Sequence, residues 1–377
     1  MKKTLLLLLP IISLAACSNV SQGEGTYVVD SVNRKVLVKK GSYKRIVCIG
    51  AGALRLYSYV GDVSLLSGVE DIDNSSLSAR PKMFDNVARP YFIVNEDAFS
   101  LLPSCGVGGP NAQSAEAEKI LSCSIDLVIS EYEDADKASA LQEKLGVPVI
   151  TLGYGSNGVF DEKIKYSLTL LGDVLGKESK ASSLISYIDK EKQEISRRTA
   201  SVKEEDKPSV YICGLGNWGT TNHLMSAQNY EPFNVAHIKN ALDDMKVDGI
   251  QKITREKFAS IGEKADKIII DAAAIKNILP LFEEDKELFE STKAWASGEV
   301  YLEMAYNAYY TNLEIALANT WYSAKAVYPS LFEDIDIAAK TNEITKEFLG
   351  KELYEDIASY PSSFGGYQKI DPKEFFK

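Results

Sequence analysis

Residues 161–202 read DEKIKYSLTLLGDVLGKESKASSLISYIDKEKQEISRRTASV, a stretch without proline between two unlike halves of the chain. Apolar residues recur at helical spacing at Ile164, Leu168, Leu171, Val174 and Leu175, and again at Leu184, Ile185, Ile188 and Ile195. Gly172 and Gly176 are its weak points, so one long helix or two abutting ones both fit. Charged residues 203–207 follow, and Pro208 stops any helix.

On both sides of this stretch, short apolar runs alternate with helical patterns. Before it, Arg45–Ile49, Val63–Val69, Leu127–Ser130 and Pro148–Leu152 read as strands. Ala115–Leu121 and Lys137–Leu145 carry helical periodicity. After it, Ser209–Cys213, Lys267–Asp271 and Val300–Leu302 read as strands, with helices at Arg255–Ile261, Ile275–Leu281, Asn312–Val327 and Ile337–Phe348. Such alternation means a parallel sheet covered on both faces. The fold class is therefore α/β: two Rossmann-like lobes, residues 27–160 and 203–377, joined by a helical connection over 161–202. A small hairpin, Tyr27–Val29 and Lys35–Val38 turning at Asn33, opens the first lobe.

The chain begins with Lys2, Lys3, an apolar run Leu5–Ile12 and then Leu14-Ala-Ala-Cys17. A basic segment, a short apolar core and small residues before a break describe a secretory signal peptide over 1–16. The run is shorter than the ~20 apolar residues that span a bilayer. Cys17 at the break matches a lipobox, whose cysteine is acylated. Residues 18–26 (SNVSQGEGT) suit a flexible tether. Removing the leader takes two lysines away and deepens the formal charge of −11. So acidic a chain argues against nucleic acid or anionic lipid as a partner, leaving the membrane contacted through the anchor alone. Cys48 and Cys213 lie in apolar runs and read as buried small hydrophobes; a Cys105–Cys123 disulfide is open in an exported protein.

Several spaced words carry a resemblance: Arg45-Ile-Val-Cys-Ile-Gly-Ala-Gly-Ala-Leu-Arg55, Arg89-Pro-Tyr91, Val107-Gly-Gly-Pro110, Glu118–Ile129, Thr254-Arg-Glu256 and Tyr306-Asn-Ala-Tyr-Tyr-Thr-Asn312. In order and spacing the chain resembles substrate-binding proteins of ATP-driven importers for iron complexes and corrinoids. The resemblance implies two lobes bridged by a rigid helix, a ligand cleft between them, a monomer, and an ABC permease with its ATPase as partner. It also implies that one surface glutamate on each lobe, here Glu118 and Glu256, docks against permease arginines. First-turn acidic residues also suit a helix dipole without any partner.

Five stretches bear on chemistry. Gly50-Ala-Gly52-Ala-Leu-Arg55 lacks the third glycine of a dinucleotide fingerprint, so it reads as a helix N-terminus that a ligand approaches closely. Arg55 faces the cleft or makes a surface ion pair. Arg89 and Tyr91 sit in an irregular segment from Asp73 to about Pro103, where Arg89 faces negative ligand groups or simply solvent. Val107-Gly-Gly-Pro110 reads as a tight turn where backbone approaches something closely. Trp218, Asn222 and His223 follow the first strand of the second lobe, where α/β sheets present binding loops. His223 offers a hydrogen bond or an axial contact. With two histidines in the chain, a polyhistidine metal site is excluded. Tyr306, Tyr309 and Tyr310 form the densest aromatic cluster; at least one packs the following helix onto the sheet, and the others stack on ligand.

No G-x-S-x-G or H-E-x-x-H motif occurs, which speaks against an exported hydrolase. The expected function is capture of a ferric siderophore or similar chelate, with haem, a corrinoid or a bare metal ion as alternatives. No resident cofactor is expected.

Overall fold

The computed structural model describes residues 25–109, 116–131, 134–156, 158–216, 219–245 and 249–376. The leader, Cys17 and most of the tether lie outside the described residues, as does Trp218. The first ordered unit is the hairpin of β1 (Thr26–Val29) and β2 (Lys35–Val38), with Asn33 in the left-handed region at φ 63°. Its alternation buries Val28, Val36 and Val38 and exposes Tyr27 and Leu37.

The N-terminal lobe is built on β3 (Ile46–Ile49), β4 (Val69–Glu70), β5 (Ser104–Gly106), β6 (Leu127–Ser130) and β7 (Val149–Thr151). Strands β3, β6 and β7 run parallel in the order β3-β6-β7, and every residue in them is buried. That is why they read as continuous apolar runs. A parallel β4/β5 pair lies beside β3 through a single bridge, Ile46 to Leu66. Two expectations are corrected here. Val63–Leu65 is a 3₁₀ turn, because the Asp62 carboxylate accepts the Ser64 amide (3.0 Å) and bends the chain, leaving Val69–Glu70 as strand. Within the segment expected to be irregular, Pro90–Ser100 is a helix with Pro90 in its first turn; its apolar residues do not keep to one face, so periodicity gave no signal.

The stretch 161–202 is two helices, Glu162–Leu175 and Glu178–Thr199, broken at Gly176 (φ 64°). They fold back on each other: Gly172 lies against Ala181, and Lys165 pairs with Asp189 at 2.8 Å. The first helix belongs to the N-terminal lobe, where the Ser167 hydroxyl accepts the Gly153 amide. The second, of 22 residues, carries the chain across; Arg198 pairs with Asp334 (2.6 Å) and Lys192 with Glu231 (2.9 Å). The connection is thus the second helix alone.

The C-terminal lobe contains β8 (Ser209–Cys213), β9 (Met225–Ala227), β10 (Lys239–Asn240), β11 (Ile250–Lys252), β12 (Lys267–Asp271), β13 (Val300–Glu303) and β14 (Gln368–Ile370). Its sheet has the order β10-β8-β12-β13-β14, parallel except for β14, and an antiparallel β9/β11 ribbon stands apart. Helix Leu313–Val327 is buried on nearly every side, which makes it core between layers and not a surface helix. Cys105 and Cys123 are both free and buried, so the disulfide does not form; the Cys123 thiol donates to the Ser104 and Lys119 carbonyls. Among the described residues no helix is long and apolar enough to cross a membrane.

Candidate functional site: an aromatic cleft between the lobes

The loop after β13 has an unusual backbone. Tyr309 and Tyr310 both occupy the left-handed region, at φ 53° and 74°. Two consecutive tyrosines there are strained, since only glycine adopts this region freely. The loop closes on itself: the Ala308 amide donates to the Tyr310 carbonyl (3.1 Å) and the Asn312 amide to the Tyr306 carbonyl (2.7 Å).

What holds it is Arg55, from the helix Ala53–Val60 of the other lobe. Its guanidinium donates to the Ala308 carbonyl (2.7 Å), the Tyr309 carbonyl (2.9 Å) and Asn312 Oδ1 (3.0 Å). Arg55 is completely buried, so it neither lines the cleft nor forms a surface ion pair. One turn further along the same helix, the Tyr59 hydroxyl donates to Glu314. These bonds tie the two lobes together beside the connecting helix.

The N-terminal wall of the cleft is equally specific. Tyr154 follows β7, and its hydroxyl donates to the Gly52 carbonyl (2.9 Å). Gly52 has φ 86°, and a Cβ there would collide with that hydroxyl, so this close approach requires glycine. The Tyr154 ring meets Tyr310 at 4.2 Å between centroids, and Phe84 meets Tyr309 at 5.7 Å. The Tyr309 hydroxyl donates to Glu70 (2.7 Å) and accepts from the Gly109 amide (3.0 Å). Arg89 and Tyr91 stand away from the cleft. Arg89 forms a buried ion pair with Asp73, and the Tyr91 hydroxyl donates to the same carboxylate (2.8 Å). Both are at most 2 % exposed, so the expected ligand contact from this pair is replaced by a structural network.

Between these walls lies a cavity of about 640 Å³, within the range of small-molecule sites. Tyr306, Tyr309 and Tyr310 line it, together with Phe84, Tyr154, Phe160 and Tyr230. The last four were not foreseen. Tyr154 sits between Gly153 and Gly155 directly after a parallel strand, which is a readable signal; Phe84 and Phe160 carry none. Asn222 and His223 do not reach the cavity. The Asn222 carboxamide caps its own turn by accepting the Leu224 amide (3.0 Å), and His223 packs against Phe258 and Phe289. Among the described residues no three His, Cys, Asp or Glu side chains lie together as a metal requires.

Burial holds the His223 imidazole neutral, lowering its pKa from 6.5 to about 4. Because the unfolded chain binds this proton first, stability is fully present above pH 6.5 and is lost as pH falls from 6.5 toward 4. Replacing His223 with phenylalanine is expected to flatten urea-unfolding stability over that window; an unchanged slope would assign the acid lability to other groups. Acids near the cleft shift the other way. Burial raises Glu70 to about 7 and Asp271 to about 8, and Glu303 is raised by burial and by Asp271, its register partner across β12 and β13.

Glu118 and Glu256 are exposed, each in the first turn of its helix, Ala117–Ser122 and Arg255–Gly262. Neither forms an ion pair among the described residues.

Two α/β lobes, a single bridging helix and an aromatic cleft between the lobes define a solute-binding protein. The model of the family described as "Periplasmic binding protein" matches residues 85–303, more than half of the chain, and the chain belongs to that family. No curated protein matches the chain. Among solved structures it is similar to a periplasmic solute-binding protein from Veillonella parvula, at 20% identity and TM-score 0.66, covering 89% of this chain and 96% of that one. It is also similar to the molybdate-binding protein MolA of Haemophilus influenzae, at 15% identity and TM-score 0.65, covering 87% and 98%. A third is the TroA-like binding protein FepB of V. parvula, at 19% and TM-score 0.62, covering 86% and 97%. These likenesses share the two-lobed fold. Family membership places the protein outside the cytoplasm, with a small-molecule ligand and an ABC transporter as partner.

Proposed function

We propose that the protein is a monomeric, non-enzymatic receptor, lipid-anchored through Cys17, that captures a ferric siderophore or similar chelate and hands it to the permease. The observation that carries this reading is the aromatic interlobe cavity of about 640 Å³. A chelate presents a large, partly apolar surface, and tyrosine and phenylalanine rings bury such surface while phenolic hydroxyls orient it. Tyr306, Tyr309 and Tyr310 act at the cleft. A bare metal ion fits the site less well, because among the described residues the cavity wall offers one carboxylate, Glu231, already paired with Lys192. Haem would take its axial oxygen from a cleft tyrosine, since His223 lies elsewhere.

Glu118 and Glu256 serve as the docking charges, free to meet permease arginines and to fix orientation. The test is transport by the importer reconstituted with its permease and ATPase. Reversing both charges (Glu118→Lys with Glu256→Lys) is expected to reduce uptake at least tenfold, leaving chelate affinity within twofold and the chelate chemically unchanged. An affinity loss as large as the transport loss would sink the docking role. Recovery of a cleaved or modified chelate would sink the receptor reading.

A further inference from the structure

The charge of the cleft narrows the ligand further. Among the described residues, no lysine, arginine or histidine side chain lines the cavity. The cations nearby are committed to protein partners. All of the guanidinium donors of Arg55 that are within reach of the loop go to Ala308, Tyr309 and Asn312. Arg89 is paired with Asp73. Lys192 lies 5.2 Å from the Phe160 ring centre, but its ammonium is bonded to Glu231 at 2.9 Å.

Acids stand directly behind the lining rings, as Arg55 does behind Tyr154, whose hydroxyl its guanidinium reaches at 3.5 Å. Glu70 accepts the Tyr309 hydroxyl at 2.7 Å, and Glu303 accepts the Tyr230 hydroxyl at 3.5 Å. Asp271 is beside Glu303 in the sheet and is likewise buried. The wall hydroxyls that face these acids are thereby used as donors inward, not toward the ligand. An anionic ligand would lose its hydration on entering and meet no compensating charge among the described lining residues, and a buried unpaired charge is expensive. A neutral ligand loses little, and a cationic one gains the ring faces.

Resting on the receptor reading above, we infer that the cleft selects neutral or cationic metal chelates, such as ferric trihydroxamates, and rejects polyanionic ones. The discriminating device is the withdrawal of Arg55 and Arg89 into structural networks, which leaves neutral hydroxyls and carboxamides, such as those of Thr220, Asn229 and Asn307, as the main polar groups among the described wall residues.

The test is a titration of the full mature protein by quenching of intrinsic fluorescence at fixed ionic strength. The probes are a neutral ferric trihydroxamate, a linear cationic ferric trihydroxamate, the trianionic ferric tris-catecholate, and haem with its two carboxylates. At least one trihydroxamate is expected to bind 100-fold or more tighter than either anionic probe. A second arm uses Ile250→Arg, at a half-exposed apolar position of the wall. It is expected to narrow that ratio at least tenfold in favour of the tris-catecholate. Binding of tris-catecholate or haem as tightly as the trihydroxamates would overturn the charge selection while leaving the receptor reading standing. An unchanged ratio in Ile250→Arg would also overturn it. Binding of none of the four would remove the receptor reading for iron chelates and the selection with it.

Discussion

Replacing Arg55 with methionine is expected to abolish chelate binding and to lower the melting temperature by on the order of 10 °C. The variant keeps the unbranched apolar stem but removes every donor that Arg55 sends to the tyrosine loop. Three buried acceptors, the Ala308 and Tyr309 carbonyls and Asn312 Oδ1, lose their partner. Each such loss costs about 1–3 kcal/mol. The side-chain contacts of Tyr309 and Tyr310 alone then oppose relaxation out of the left-handed region, and the cavity wall loosens. Calorimetry and ligand titration on the same preparation check the expectation. Were Arg55 a ligand contact, affinity would fall with the melting temperature intact. The coupled loss of both is the mark of a positioning residue.

Arg89→Ala is expected to destabilise the protein by about 3–5 kcal/mol, because it strands the buried Asp73 carboxylate. The Tyr91 hydroxyl still donates to that carboxylate but carries no charge to offset it. Urea unfolding would measure the loss. Adding Asp73→Asn is expected to recover a large part of it, since a neutral amide is far cheaper to bury than an unpaired carboxylate. Chelate affinity in the folded fraction should stay within a few fold of wild type, because neither residue lines the cleft. A selective loss of affinity at full stability would return Arg89 to the binding site.

The two arginines show where reading the chain reaches its limit. Arg55 follows a glycine-marked strand end, where binding residues gather, and Arg89 stands before a proline in a segment that read as irregular. Their types suited an anionic ligand equally well. What decided their role was a partner distant in sequence: Asn312 and the Ala308 carbonyl for Arg55, Asp73 for Arg89. The tyrosines of 306–310 were legible as a cluster because three aromatics after a parallel strand exceed what packing one helix requires. Tyr230 was not, since it is a single aromatic whose place in the cleft depends on how the lobes meet; Tyr154 had a signal in its flanking glycines after β7 that was passed over. His223 was misplaced for a related reason: its loop has a binding composition, but Phe258 and Phe289 enclose the ring.

Hydrophobic periodicity was enough for the three-stranded sheet of the first lobe, for β8, β12 and β13 of the second, for most of the helices and for the division into two lobes; the short edge strands β10 and β14 were not read. These are local consequences of side-chain spacing, and burial on both faces makes parallel strands unmistakable. The break in 161–202 was half legible: Gly172 and Gly176 marked weak points, but only the fold-back onto Ala181 and Asp189 chose two helices over one. The makeup of the cleft belongs wholly to tertiary structure. Its wall draws residues from segments more than two hundred positions apart, and its charge depends on which cations the interior has already claimed.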